Sequence, residues 1–174
     1  MKYISINKKD LSKCKFSHII NEYGFCKPDG GLWASEFIDD SSDWINWLIY
    51  ENDVFESNSH LKEMANPCSI IFTLKDNAKI YIIDSYNDFL NIVEKYKIVY
   101  ENIRINHEFV NFEEMSKDYD GIKLTKAGCN NTSSIFLNPN LNGWDCESIL
   151  LFNLECIDTW RNYECKFIKK ERED

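Results

Sequence analysis

Two stretches of β-branched and aromatic residues, 69–74 (Ser-Ile-Ile-Phe-Thr-Leu) and 78–83 (Ala-Lys-Ile-Tyr-Ile-Ile), are separated only by Lys75-Asp76-Asn77. This constrains the fold more than any other feature. Such residues pack well on a pleated surface, and the polar link has the chemistry of a tight turn. The spacing predicts two strands joined as a hairpin. The flanking segments supply further strands and the helices that cover them.

Upstream, residues 3–6 (Tyr-Ile-Ser-Ile) read as a first strand and residues 11–23 as a helix closed by Gly24. Residues 27–35 form a tight turn feeding a short aromatic strand. Asp40, Ser41 and Ser42 offer caps for a helix over 44–50, where Trp44, Trp47 and Leu48 fall on one face at core spacing. Downstream, Ser85 or Asn87 caps a helix through 89–96, and Asn111 opens a shorter one over 112–117. Residues 121–125 return to the sheet. Residues 126–134 are rich in Gly, Asn, Ser and Thr without a hydrophobic period and read as a loop. Residues 149–152 and 165–168 supply the last strands. The pattern predicts one α+β domain over residues 1–168 with a charged tail over 169–174. In it, N-terminal helices pack on a mainly antiparallel split sheet whose later strands frame a cleft.

With 174 residues, 44% of them hydrophobic, the chain buries a single sizeable core. Its 29 acidic residues against 20 basic give a net charge of -9, which opposes binding to nucleic acid or anionic membrane through a general positive field. The basic group Lys166, Lys169, Lys170 and Arg172 is interleaved with Glu171, Glu173 and Asp174 and reads as a solvated tail. Seven cysteines, an odd number without a Cys-x-x-Cys pair, argue against a disulfide framework or a zinc site. No apolar run reaches signal-peptide or membrane-spanning length, so the expected setting is a reducing cytoplasm, without membrane contact.

The candidate site lies at Gly143-Trp144-Asp145-Cys146-Glu147-Ser148, immediately before the apolar run at 149–152. Strand residues i and i+2 share a face, so Asp145 and Glu147 are expected to project together from the strand's entrance. The bland alternative is a pair of solvated charges at a strand start. Gly30-Gly31 after Pro28 is first of all a turn device, raised above that by Trp33 and Ser35 nearby. His18, His60 and His107 have no ligand spacing, so no metal site is expected. A thiol hydrolase pairing Cys129 or Cys146 with His107 has no local feature that would lower the thiol pKa.

An acidic-x-Glu ahead of an apolar strand, late in a small α+β chain, resembles the Glu-x-Glu element of the mono-ADP-ribosyltransferases, with Asp145-Cys146-Glu147 in its place. The Gly-Gly-Leu-Trp-Ala-Ser segment at 30–35 looks like that superfamily's second strand. The set Lys-Pro-x-Gly-Gly-Leu-Trp-x-Ser, Tyr-Asp-Gly-Ile and Gly-Trp-Asp-x-x-Ser is also similar to uncharacterised proteins of bacterial prophages. The resemblance implies NAD as co-substrate, a macromolecular acceptor, protein or nucleic acid, and the role of a phage or toxin effector. It makes Glu147 the catalytic carboxylate that orients the ribose hydroxyl and stabilises an oxocarbenium-like transition state. It makes Asp145 the group that receives the acceptor nucleophile. Lys27, Gly31, Trp33, Ser35 and Trp144 become cofactor-binding residues: Trp33 or Trp144 stacks a flat ring, and Ser35 holds the carboxylate. The loop over 128–142 contacts the target. The superfamily's first-strand Arg or His has no counterpart before Arg104, for which Tyr3, Lys27 or Arg104 are the substitutes. The alternative is a non-catalytic acidic module that keeps the fold and binds a partner. Acceptor and oligomeric state stay open.

Overall fold

The computed structural model describes residues 1–6, 8, 10–13, 16–54, 68–100 and 108–164. Nine strands and four α-helices fall within them. The strands are β1 (Tyr3–Ile6), β2 (Leu32–Glu36), β3 (Cys68–Leu74), β4 (Ile80–Ile83), β5 (Lys97–Val99), β6 (Glu108–Val110), β7 (Gly121–Leu124), β8 (Ser148–Leu151) and β9 (Ile157–Glu164). The helices are α1 (Asp43–Val54), α2 (Tyr86–Lys95), α3 (Phe112–Met115) and α4 (Lys126–Thr132). Seven strands form one sheet in the order β4-β7-β8-β2-β1-β3-β9, while β5 and β6 make a separate ribbon. Every pairing in the large sheet is antiparallel except β4 with β7. The chain is thus α+β with a mainly antiparallel, mixed sheet.

The expected hairpin does not form, although its two strands and its turn do. The Ala78 N–H donates to the Lys75 carbonyl at 3.0 Å, closing the turn. β3 is already paired on both edges, by β1 and by β9, so no edge is left for β4. The chain instead crosses to the far end of the sheet. Five strand spacings lie between β4 and β3, about 24 Å if flat. The link at 75–79 spans about 20 Å even when fully extended, and it contains a turn, so the sheet must coil. Tyr3, Leu32, Ala34, Phe72, Ile149 and Leu151 meet in one buried cluster on the sheet.

β2 is the shared strand. Its first residues, Leu32 to Ala34, pair with β8, and its last, Ser35 and Glu36, pair with β1. The two halves of the sheet meet there. On the helical side, α2 inserts Phe89, Ile92 and Val93 against Ile83, Ile122, Leu124 and Leu150. Ser85 caps it with a complete capping box to Asp88. α1 lays Ile45 and Leu48 on Ile4, Ile6 and Ile71. The Ser42 hydroxyl caps it by accepting from the Ile45 N–H at 3.1 Å.

In place of the helix predicted at 11–23 there is one 3-10 turn at Leu11–Lys13 and, over 16–23, an irregular run. The reason lies in packing: Leu11 is buried in the cluster of Tyr3 and Phe72 and Ile19 in the cluster beneath α2, so the segment serves two layers. Ile20 exchanges backbone bonds with Asp29, at 3.1 and 2.9 Å. His18 is exposed and not helical.

The predicted loop at 126–134 is largely α4. Thr125 caps it, its hydroxyl accepting from the Gly128 N–H at 3.0 Å. The helix carries no apolar stripe because it packs through backbone. A Cβ on Gly128 would lie 2.1 Å from the Ile83 carbonyl oxygen. The last described strand, β9, has no counterpart in the expected pattern, and the strand expected at 165–168 lies outside the described residues. Among them, no helix is long and apolar enough to cross a membrane.

Candidate functional site

β8 begins at Ser148, so Asp145 and Glu147 both precede the strand and the i, i+2 rule does not govern them. They diverge: Glu147 is 7% exposed, whereas Asp145 is exposed at the surface. The β2–β8 register, Ala34 opposite Ile149, carries the end of β2 past Glu147. There the Ser35 hydroxyl donates to Glu147 Oε2 at 2.6 Å, and the Glu36 N–H donates to the same oxygen at 2.8 Å. Glu147 Oε1 is buried without a hydrogen-bond partner, and the Lys123 ammonium stands 3.8 Å from it.

Lys123 does not stand out as a site residue in the sequence. It lies on β7 between Ile122 and Leu124, is 6% exposed, and pairs with Glu36 Oε2 at 2.8 Å. Its ammonium also sits 5.5 Å from the Tyr3 ring. One buried cation therefore serves two carboxylates. Burial pushes the Glu147 carboxyl above the usual range, with Glu36 adding to the rise; Ser35, the Glu36 N–H and Lys123 hold it partly back. Burial, then Glu36 and Glu147, raise the Tyr3 phenol to about 12.

Glu147 and Asp145 open onto different depressions. One, of about 280 Å³, has Glu147, Glu36, Ser41, Asp43, Asn46 and Lys126 in its walls, with Lys126 paired to Asp43 at 3.1 Å. Its rim is the tight turn at Ile38–Ser41, where Asp39 and Asp40 adopt φ of 49° and 58°. The other, of about 240 Å³, is an indole cleft lined by Trp33, Trp44, Trp47, Cys146, Asp145 and Lys27. Ser148 reaches the second cleft, which thus borders the strand that Glu147 leads into. Trp44 and Trp47, expected in the core, pack half-buried against the cluster of Ile45 and Leu48 and also line the cleft.

Lys27 places its ammonium 4.7 Å from the Trp33 ring centre. Gly31 has φ +68°, and a Cβ there would lie 2.5 Å from Leu150 Cδ1 and 2.7 Å from the Leu151 carbonyl oxygen. Its place is fixed by packing against β8, and it lines neither of the two depressions above.

Trp144 is 1% exposed and is no free stacking surface. It lies edge-on to Trp33 at 4.7 Å and stacked on Phe112 at 6.2 Å, and its indole N–H donates to the Cys26 carbonyl at 3.1 Å. Its large apolar area belongs to the core beneath α2 and anchors the loop ahead of Glu147.

A thiolate nucleophile is opposed by the local electrostatics. Burial raises the Cys146 thiol to about 12, and burial with Asp145 and Asp43 raises Cys129. Among the described residues no group of three His, Cys, Asp or Glu is placed to hold a metal ion. His60, Arg104 and His107 lie outside those residues.

Sequence reasoning missed Glu36, Lys123, Asn46 and Lys126. The only available signal was Lys123 itself, a charge inside the strand run Gly-Ile-Lys-Leu. Comparison of the chain with family models, with curated proteins and with solved structures finds no match.

Proposed function

We propose that the protein binds NAD and transfers ADP-ribose to a macromolecular acceptor, with Glu147 as the carboxylate of the reaction. The observation that carries this reading is the held carboxylate at the mouth of β8: Oε2 fixed by Ser35 and the Glu36 N–H, Oε1 without a hydrogen-bond partner. Oε1 faces the Lys123 ammonium at 3.8 Å, and the residue borders the depression of about 280 Å³. A carboxylate preorganised in this way can accept from a ribose hydroxyl and stabilise positive charge as it develops. The bond from ribose C1′ to the nicotinamide nitrogen breaks, its electron pair leaving with nicotinamide. The acceptor nucleophile then bonds to C1′ and releases its proton. Asp145, exposed ahead of the strand, is open to that acceptor.

The indole cleft beside the strand suits a flat ring, and Trp33 with Lys27 forms its near wall. Lys27, and Lys126 beside its partner Asp43 at 3.1 Å, are the lysines lining the two depressions, for contact with phosphate as point charges. Incubation with biotin-labelled NAD and a cell extract tests the transfer: label on an acceptor with the wild type, and none with Glu147→Gln.

One observation favours a second reading, a non-catalytic acidic binding module. The loop after α4 exposes Phe136 at 92% and Ile135 at 65%, and the divergence of Asp145 from Glu147 leaves the acid pair without a shared substrate face. Under that reading neither protein labels an acceptor, and Phe136→Ser abolishes capture of the partner.

A further inference from the structure

The indole cleft already accommodates a cation belonging to the chain. Lys27 holds its ammonium 4.7 Å from the Trp33 ring centre, at cation–π range, while Trp44 and Trp47 supply further indole surface in the same cleft of about 240 Å³. Asp145 brings an exposed carboxylate to the wall. Three indoles and one carboxylate make a surface complementary to a weakly hydrated positive charge, which a neutral apolar ligand would not need. We infer that this cleft is a binding site for a diffuse organic cation, which enters by displacing the Lys27 ammonium from Trp33.

One further observation agrees. Lys27 is exposed and on the wall shared with a second depression, of about 380 Å³, lined by Phe25, Pro28, Asn142 and Gly143. Its long side chain therefore has somewhere to swing when displaced.

One chemistry can come from two sources: the pyridinium ring of a dinucleotide, or a methylated ammonium on a partner's side chain. The first source rests on the proposed NAD reading and the second does not.

Titration of the full chain by tryptophan fluorescence, with 1-methylnicotinamide, neutral nicotinamide and tetramethylammonium as probes, tests the inference. We expect 1-methylnicotinamide to bind about 3- to 30-fold more tightly than nicotinamide, the ratio set by the cation–π contribution. Lys27→Met should tighten cation binding by removing the resident competitor. Asp145→Asn should narrow the gap between the cation and its neutral counterpart. Both changes are at exposed positions, so loss of folding does not mask the result. Tetramethylammonium matching 1-methylnicotinamide points to a methylated ammonium, and much weaker binding of it points to the pyridinium; either supports a cation site. Equal binding of 1-methylnicotinamide and nicotinamide, binding of neither, or weaker cation binding by Lys27→Met overturns it. NAD turnover that depends on Glu147 but shows no cation preference would sink this inference alone and leave the carboxylate reading intact.

Discussion

Replacing Lys123 with methionine removes the ammonium while keeping most of the side-chain length. At an effective dielectric near 20, the separations of 2.8 Å to Glu36 and 3.8 Å to Glu147 correspond to attractions of about 6 and about 4 kcal/mol. Much of that is offset in the wild type by the cost of desolvating the lysine, whose side chain is 8% exposed. The loss on mutation is set by what remains: two carboxylates facing each other, Glu147 buried and Glu36 25% exposed. Removing one partner of a buried pair costs about 3–5 kcal/mol. In a domain of this size that lowers Tm by about 6–20 °C. Urea unfolding followed by circular dichroism at pH 7 is the assay. The double variant Lys123→Met with Glu147→Gln should recover part of the loss, since one of the uncompensated charges is gone. A Lys123→Met protein within about 0.5 kcal/mol of wild type, the range of an ordinary surface change, would refute the coupled-charge reasoning.

Further outcomes follow from the same geometry. The Glu147 carboxyl is raised above its ordinary 4.5, so the folded state holds its proton more tightly than the unfolded one. Its contribution to stability is full below the unfolded value and is lost as pH rises through the folded one. Glu147→Gln should therefore flatten the decline in wild-type stability above pH 4.5, measured by urea midpoints across the range. Gly31→Ala, with φ +68° and a Cβ 2.7 Å from the Leu151 carbonyl oxygen, should cost at least about 2 kcal/mol; a midpoint shift under half of that contradicts the packing account. Ser85→Ala should cost about 1 kcal/mol by removing the cap of α2, read as lost thermal stability. Cys146, raised to about 12, should resist iodoacetamide at about pH 8 in the native protein and react once unfolded. Rapid native alkylation at that residue would contradict the raised thiol.

Local chemistry made some elements legible in the sequence and hid others. Ser85 and Asn111 announced their helices because a capping side chain acts within three residues of itself. Strand propensity located β3 and β4, but which strands pair is decided by β1 and β9, from the two ends of the chain, occupying both edges of β3. α4 escaped because periodicity records apolar side chains, and this helix buries Gly128 and Thr132 instead. The segment at 11–23 misled in the opposite sense: its apolar residues imitate a helical spacing while serving two separate clusters.

The site shows the same division. Glu147 stood out from its place before an apolar run, and Ser35 from its small hydroxylated side chain after an aromatic strand. The hydrogen bond that joins them spans 112 residues of sequence, and the ammonium that faces Glu147 comes from a third strand. Trp144 could not be told from a ligand-stacking ring because an indole serves either purpose. Its burial against Phe112 decides for the core.

The central claim is that Glu147 is held for chemistry on a glycosidic bond. Calorimetric titration of wild type and Glu147→Gln with NAD, followed by measurement of released nicotinamide, tests it most directly. The account predicts that both proteins bind, since the amide oxygen of the variant would still accept from Ser35 and the Glu36 N–H, and that only the wild type releases nicotinamide. No binding by the wild type at millimolar NAD, or equal release by both proteins, would contradict it.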